Sequence, residues 1–149
     1  MSIDDDVVLL ERVPTLRLLG AEALRVLAIG AEQQQFARGS ILFRAGDEAD
    51  AGYVVQEGGF RIHVADGGDQ EVIAERGALI GELALIVPMS RPATAVALEY
   101  SMAIRIPRTL FLRVLVSDPA AARRLRDELA NRTRQTTSDI LMASAKLST

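Results

Sequence analysis

Residues 81–94, Gly-Glu-Leu-Ala-Leu-Ile-Val-Pro-Met-Ser-Arg-Pro-Ala-Thr, hold the side chains of this chain best suited to chemistry. Glu82 and Arg91 bracket a short, mostly apolar turn, and small residues follow the arginine. A helical turn opening at Gly81 would aim the backbone N–H groups of its first residues at an anion. Arg91 would add the matching cation, with a planar fork suited to phosphate oxygens. Glu82 would accept a hydrogen bond from a nearby hydroxyl. A phosphate beside a sugar hydroxyl outlines a nucleotide.

The elements around this stretch must bring its two ends together. Val7 to Leu19 carries apolar residues at helical spacing broken by Pro14, which implies one or two short helices. Ala21 to Ile29 reads as another helix ending near Gly30. From Gln33 the texture changes. Short β-branched and apolar runs recur at Ser40–Phe43, Tyr53–Gln56, Phe60–Val64, Gln70–Ala74, Thr94–Ala97 and Met102–Ile106, and glycine-containing turns separate many of them. Such spacing predicts a sandwich or jelly-roll. Arg108 to Val116 reads as a short helix. Ser117-Asp118-Pro119 then looks like a helix start, a capping side chain followed by a first-turn proline. The helix after it is expected to run to about Leu147, with neither glycine nor a further proline on the way. Leu125, Leu129, Arg132, Thr136, Ile140 (or Asp139), Ala143 and Leu147 step by three or four along it, close to a dimer seam of period 3.5.

Composition narrows the function classes. At 149 residues the chain supports one domain with a real core, and 49% hydrophobic with 25% charged residues is ordinary for a soluble protein. A net charge of −3 gives no general attraction to nucleic acid or anionic lipid. The absence of cysteine removes disulfides, thiolate metal sites and cysteine nucleophiles. The acidic start, Met-Ser-Ile-Asp-Asp-Asp, lacks the pattern of a signal peptide. No apolar run approaches the ~20 residues of a membrane helix, so a cytoplasmic location is expected. One histidine, His63, cannot build a His-and-carboxylate metal cluster, and no nucleophile elbow accompanies it. No catalysis, metal or cofactor is expected.

Together these residues resemble a cyclic-nucleotide-binding domain along nearly the whole chain. The resemblance rests on Gly81-Glu82-Leu83-Ala84-Leu85, Arg91 nine residues after Glu82, and Ala93-Thr94 closing the stretch. This is similar to the phosphate-binding cassette of protein-kinase regulatory subunits. Leu42-Phe43 before Gly46-Asp47, and Tyr53-Val54-Val55-Gln56-Glu57-Gly58, fit the family's strand-and-turn pattern. Asp118-Pro119 falls where bacterial catabolite regulators have Asn-Pro. The resemblance implies an α+β, mainly β, fold: an antiparallel β-roll with N-terminal helices (1–32), the roll itself (33–107, cassette 81–94) and C-terminal helices including a long one (108–149).

The family's roles follow position by position. Arg91 would pair with the cyclic phosphate, and the N–H groups of Ala84 and Ala93 would donate to its oxygens. Glu82 would accept the ribose 2′-hydroxyl, helped by the backbone at Gly81. The ligand-binding set is thus Gly81, Glu82, Leu83, Ala84, Arg91, Pro92, Ala93 and Thr94. Thr136 and Thr137 match a Thr-Ser pair that touches the adenine amino group across a dimer, and Arg132 matches an arginine near that pocket. Pro92 departs from the pattern, because many members have Ser, Thr or Ala there and use its N–H. Proline has none. Weaker binding is expected, with cAMP favoured over cGMP because the hydroxyl that many cGMP-selective members use is missing. The resemblance implies a non-catalytic sensor whose ligand shifts the C-terminal helix, a homodimer through that helix, and an effector protein not identified by the sequence. No DNA-binding domain and no membrane contact are expected in this chain. The alternative is a degenerate module that dimerises and binds a protein without nucleotide. A third is another phosphorylated ligand in the same cassette.

Overall fold

A computed structural model describes residues 2–64 and 71–131. Three helices come first: α1 (Ile3–Glu11), α2 (Pro14–Arg17) and α3 (Ala21–Gly30). Helix α1 starts four residues before the expected helical stretch. Ser2 accepts from the Asp5 N–H while the Asp5 side chain reaches back to the Ser2 N–H, a capping box. The roll then contains β1 (Glu32–Phe36), β2 (Ile41–Phe43), β3 (Glu48–Ala49), β4 (Ala51–Glu57), β5 (Gly59–His63) and β6 (Glu71–Glu75). It continues with β7 (Leu79–Ile80), a 3-10 turn (Glu82–Leu85), β8 (Met89–Ser90), β9 (Thr94–Ala97) and β10 (Ser101–Pro107), and α4 (Arg108–Ser117) follows. Residues 119–131 form a further helix, α5. Asp118 starts it as expected, its Oδ1 accepting from the Ala121 N–H at 3.1 Å.

All pairing is antiparallel. One sheet has the order β1-β10-β4-β7, the other β2-β9-β5-β6, and β3 pairs with β8 as a small ribbon. This is a β-roll of the jelly-roll kind. The central strand β4 is buried on both faces, which is why it reads as a continuous apolar run rather than an alternation. Tyr53 and Val55 point between the sheets, towards Phe60, Ile80 and Ala103. Val54 points the other way, with Ile104 and Ile106 of β10, into a second core made with the helices. Leu10, Leu16, Leu24, Leu27 and Phe111 fill that core, and Leu85 from the 3-10 turn joins it.

Two expectations change here. The first two positions of the supposed dimer seam are used by the chain itself: Leu125 is buried in the helical core and Leu129 packs against it. Arg124 reinforces this by donating from Nε to Leu18 O at 2.6 Å and from Nη2 to Leu19 O at 3.2 Å, at the C-terminal end of α2. The later seam positions, and Arg132, Thr136 and Thr137, lie outside the described residues. The second change is β1, a polar Glu-Gln-Gln-Gln-Phe run that nevertheless pairs with β10 over five residues.

Candidate binding site

The cassette is assembled by backbone geometry before any side chain acts. Gly81 sits in the left-handed region (φ 79°, ψ 39°), where L side chains are strained, and it turns the chain from β7 into the 3-10 helix. A Cβ at that position would also collide with Nη1 of Arg91. Glycine is therefore needed twice, once for the turn and once for the approach of the guanidinium.

Arg91 is placed by the turn between β2 and β3. Its N–H donates to Asp47 O at 2.7 Å, and its carbonyl accepts from the Gly46 N–H at 2.8 Å. That turn is locked in its own right, because the Asp47 carboxylate accepts from the Arg44 N–H at 3.0 Å. Thr94 completes the lock, its hydroxyl accepting from the Ala45 N–H at 2.9 Å. Pairing of β3 with β8 brings Met89 and Ser90 alongside, so the arginine leaves the ribbon at a fixed point.

The Arg91 side chain runs inwards and is 4% exposed. Nη2 donates to Ala51 O at 2.8 Å. Its guanidinium lies 4.2 Å from the centroid of Phe43 and 5.6 Å from that of Tyr53, a cation–π arrangement. Nε is buried without a hydrogen-bond partner. Among the described residues the ion pairs are Arg25–Asp4, Arg61–Glu71, Arg105–Glu32 and Arg105–Asp50, and Arg91 is in none of them. Burial accordingly lowers its pKa from the usual arginine value, against smaller opposing contributions from Tyr53 and Asp50. A buried cation with two aromatic faces and one carbonyl is under-compensated.

Beside it is a cavity of about 340 Å³. Gly81, Glu82, Leu83, Ala84, Arg91, Pro92 and Ala93 line it, so seven of the eight expected ligand-binding residues converge on one space. Thr94 does not reach the wall; its hydroxyl serves the Ala45 amide instead. The Ala84 N–H closes the 3-10 turn onto Gly81 O at 3.1 Å, so a bound phosphate would have to share or replace that bond. Phe43, Ile62, Leu79 and Met89 supply apolar surface of the kind a flat ring needs. Sequence reasoning missed the seating of Arg91 on Phe43 and Tyr53. Both aromatics fall in runs that read as strands, but nothing in the sequence places them under Arg91. Among the described residues no group of three or more His, Asp or Glu is placed to hold a metal ion, and no helix is long and apolar enough to cross a membrane.

The cyclic nucleotide-binding domain family matches residues 33–118, more than half of the chain. The chain belongs to this family. The N-terminal domain of a transcriptional regulator from Streptomyces coelicolor superposes with a TM-score of 0.80 at 30% identity, covering 89% of this chain and 94% of that one. A lysophospholipase NTE1 from Phaeosphaeria nodorum is 29% identical over 94% of this chain and 10% of its own length. A cAMP-dependent protein kinase regulatory subunit from Candida albicans is 30% identical over 66% of this chain and 21% of its own length. This domain therefore spans about a tenth and about a fifth of those two relatives. The likeness is confined to one segment of two proteins of different kinds, so it does not extend to the activity of either whole protein.

Proposed function

We propose that this domain is a non-catalytic sensor that binds a cyclic nucleotide, cAMP in preference to cGMP. The observation that carries the reading is Arg91, buried, unpaired among the described residues and short of one hydrogen bond beside a cavity. A cyclic phosphodiester supplies one negative charge and acceptor oxygens, and matches a single guanidinium. Glu82, on the same wall, is suited to accept from the ribose 2′-hydroxyl. Binding of the base falls to Phe43, Ile62, Leu79 and Met89. Support for cAMP comes from the kinase regulatory subunit named for it, and from Pro92, which offers no hydroxyl to a guanine amino group. The alternative, an interaction module without nucleotide, would leave a buried guanidinium with no anion, so the nucleotide reading is preferred.

The response would pass through Leu85. It belongs to the cassette turn, yet packs in the helical core with Phe111 and Leu125. A cassette drawn towards phosphate moves Leu85, and the helices that hold it repack. In this reading residues 1–149 form one sensor, with 33–107 binding and 108–149 responding through an effector protein. A homodimer through α5 would not use Leu125 or Leu129, which are already packed within their own chain.

The test is calorimetric titration with cAMP and cGMP, beside Arg91→Met. Wild type should release heat with cAMP, and the variant should bind about 30-fold more weakly or worse, as expected for losing a buried charge partner. No heat from wild type at millimolar cAMP, or equal binding by both proteins, would sink the proposal.

A further inference from the structure

Arg108 is the first residue of α4, and its Nη1 donates to carbonyls of two other segments. Ala49 O lies at 2.8 Å, while Ala84 O and Val87 O lie at 3.2 Å each. Ala84 sits in the 3-10 turn of the cassette, and Val87 lies two residues past its end. The Arg108 backbone N–H also donates to Asp50 O at 2.8 Å. Three consecutive carbonyls, those of Ala49, Asp50 and Ala51, are thus taken by two arginines, Arg108 for the first two and Arg91 for the third. One arginine comes from the phosphate side of the cavity and the other from the start of the helical segment.

We propose that Arg108 is a positioning residue for the nucleotide site, clamping the C-terminal end of the cassette turn to α4. A four-residue 3-10 turn holds itself with few bonds, here Ala84 N–H to Gly81 O and both Ile86 and Val87 N–H to Leu83 O. Its last carbonyls need outside donors, and a cation at a helical C-terminus is the favourable one. The guanidinium answers both needs and is itself carried by α4. The turn, the 49–51 segment and α4 are therefore joined by charge-assisted hydrogen bonds, beside the apolar contact of Leu85. When Arg91 leaves Ala51 O for a phosphate, the shared segment loses a donor on one side and keeps two on the other. The clamp carries the displacement to α4. This consequence rests on the nucleotide reading, whereas the clamp itself does not.

Amide hydrogen exchange on the whole chain separates the two. Arg108→Met keeps the apolar stem and removes the donors, and Arg108→Lys keeps a charged donor. Without nucleotide, the amides of Ala84, Ile86 and Val87 should exchange about tenfold faster or more in Arg108→Met, the scale of a lost charged hydrogen bond. The amides of β4 and β10 should keep their wild-type rates, and Arg108→Lys should fall between. Unchanged exchange at 84–87, or acceleration equal to that in β4 and β10, overturns the clamp. With saturating cAMP, wild type should gain protection in the cassette and in α4, and Arg108→Met in the cassette alone. An equal gain in α4 overturns the coupling role. Should cAMP protect nothing in wild type, the nucleotide reading fails, and the nucleotide-free comparison still decides the clamp.

Discussion

On one side of the roll, Val54, Ile104 and Ile106 meet Leu16, Leu24, Leu27 and Phe111 in a core that is apolar and buried. On the other, Arg91 is just as buried, but charged, and lacks a partner for Nε. Both sides hang from β4, whose alternate residues serve the two cores in turn. Stability is concentrated where side chains interlock, and a cost is carried where a ligand would repay it. The cost is tolerable because the helical core lies on a different face of the same strand. Sites of this kind are expected to break local rules that the rest of the fold obeys.

The sharpest break of that comparison is Leu16→Ala. Leu16 is fully buried in α2, in the helical core, and does not line the cavity. Truncation should cost about 2–5 kcal/mol, a large share of a typical domain's stability. Denaturant unfolding should show it as a lower midpoint with little change in slope. Titration of the still-folded variant with cAMP should give the wild-type affinity. A parallel fall in affinity would mean the two sides are not separable.

Pro92→Thr tests the cassette side alone. Pro92 is exposed and lines the cavity, so its replacement should leave the midpoint of unfolding almost unchanged. Threonine restores an N–H and adds a hydroxyl. One added hydrogen bond to a charged group is worth up to about tenfold or somewhat more in affinity. The gain should be larger for cGMP than for cAMP, since guanine carries a 2-amino group, absent from adenine, that the new hydroxyl can accept from. Equal gains for both nucleotides would take Pro92 out of the specificity argument.

How far these features could be read from the sequence depended on whether their cause was local. Thr94–Ala97 is a short run with β-branched residues and lies within one strand, so its composition alone marks it. Gly46, Gly58, Gly77 and Gly81 all have positive φ, and each marks a turn that composition already suggested. The two-residue strands β3, β7 and β8 have no local signature; they exist because tertiary packing lays them against partners. Strand β1 runs against propensity, since three glutamines in a row are ordered by pairing with β10 rather than by their own preference. The start of α1 was legible in Ser2-Ile3-Asp4-Asp5, a capping pattern that reads only as an acidic terminus when charge alone is counted. Glu82 and Arg91 were legible through their spacing. Phe43 and Tyr53 under the guanidinium, and Arg108 behind the turn, were not, because contacts across 21 to 59 residues leave no periodic trace.

The smallest effect is expected at the seam between the helices and the roll. Gln33 Nε2 donates to Gln56 Oε1 at 2.7 Å, and Gln56 Nε2 donates to Asp6 Oδ1 at 3.2 Å, tying α1 to β4 and β1. Desolvation by burial raises the Asp6 pKa above 3.8, and neighbouring Asp5 adds to the rise. The folded protein therefore binds this proton more tightly than the unfolded chain. By linkage, stability falls as pH rises from the unfolded value of 3.8 through the folded one, and the full cost is present at neutral pH. Asp6→Asn removes the charge and keeps an oxygen for Gln56. It should raise the melting temperature slightly at pH 7, and the difference from wild type should shrink as pH falls towards 3.8. A difference that grows on acidification would mean that the carboxylate is stabilised in place, and that the hydrogen bond from Gln56 outweighs its loss of water.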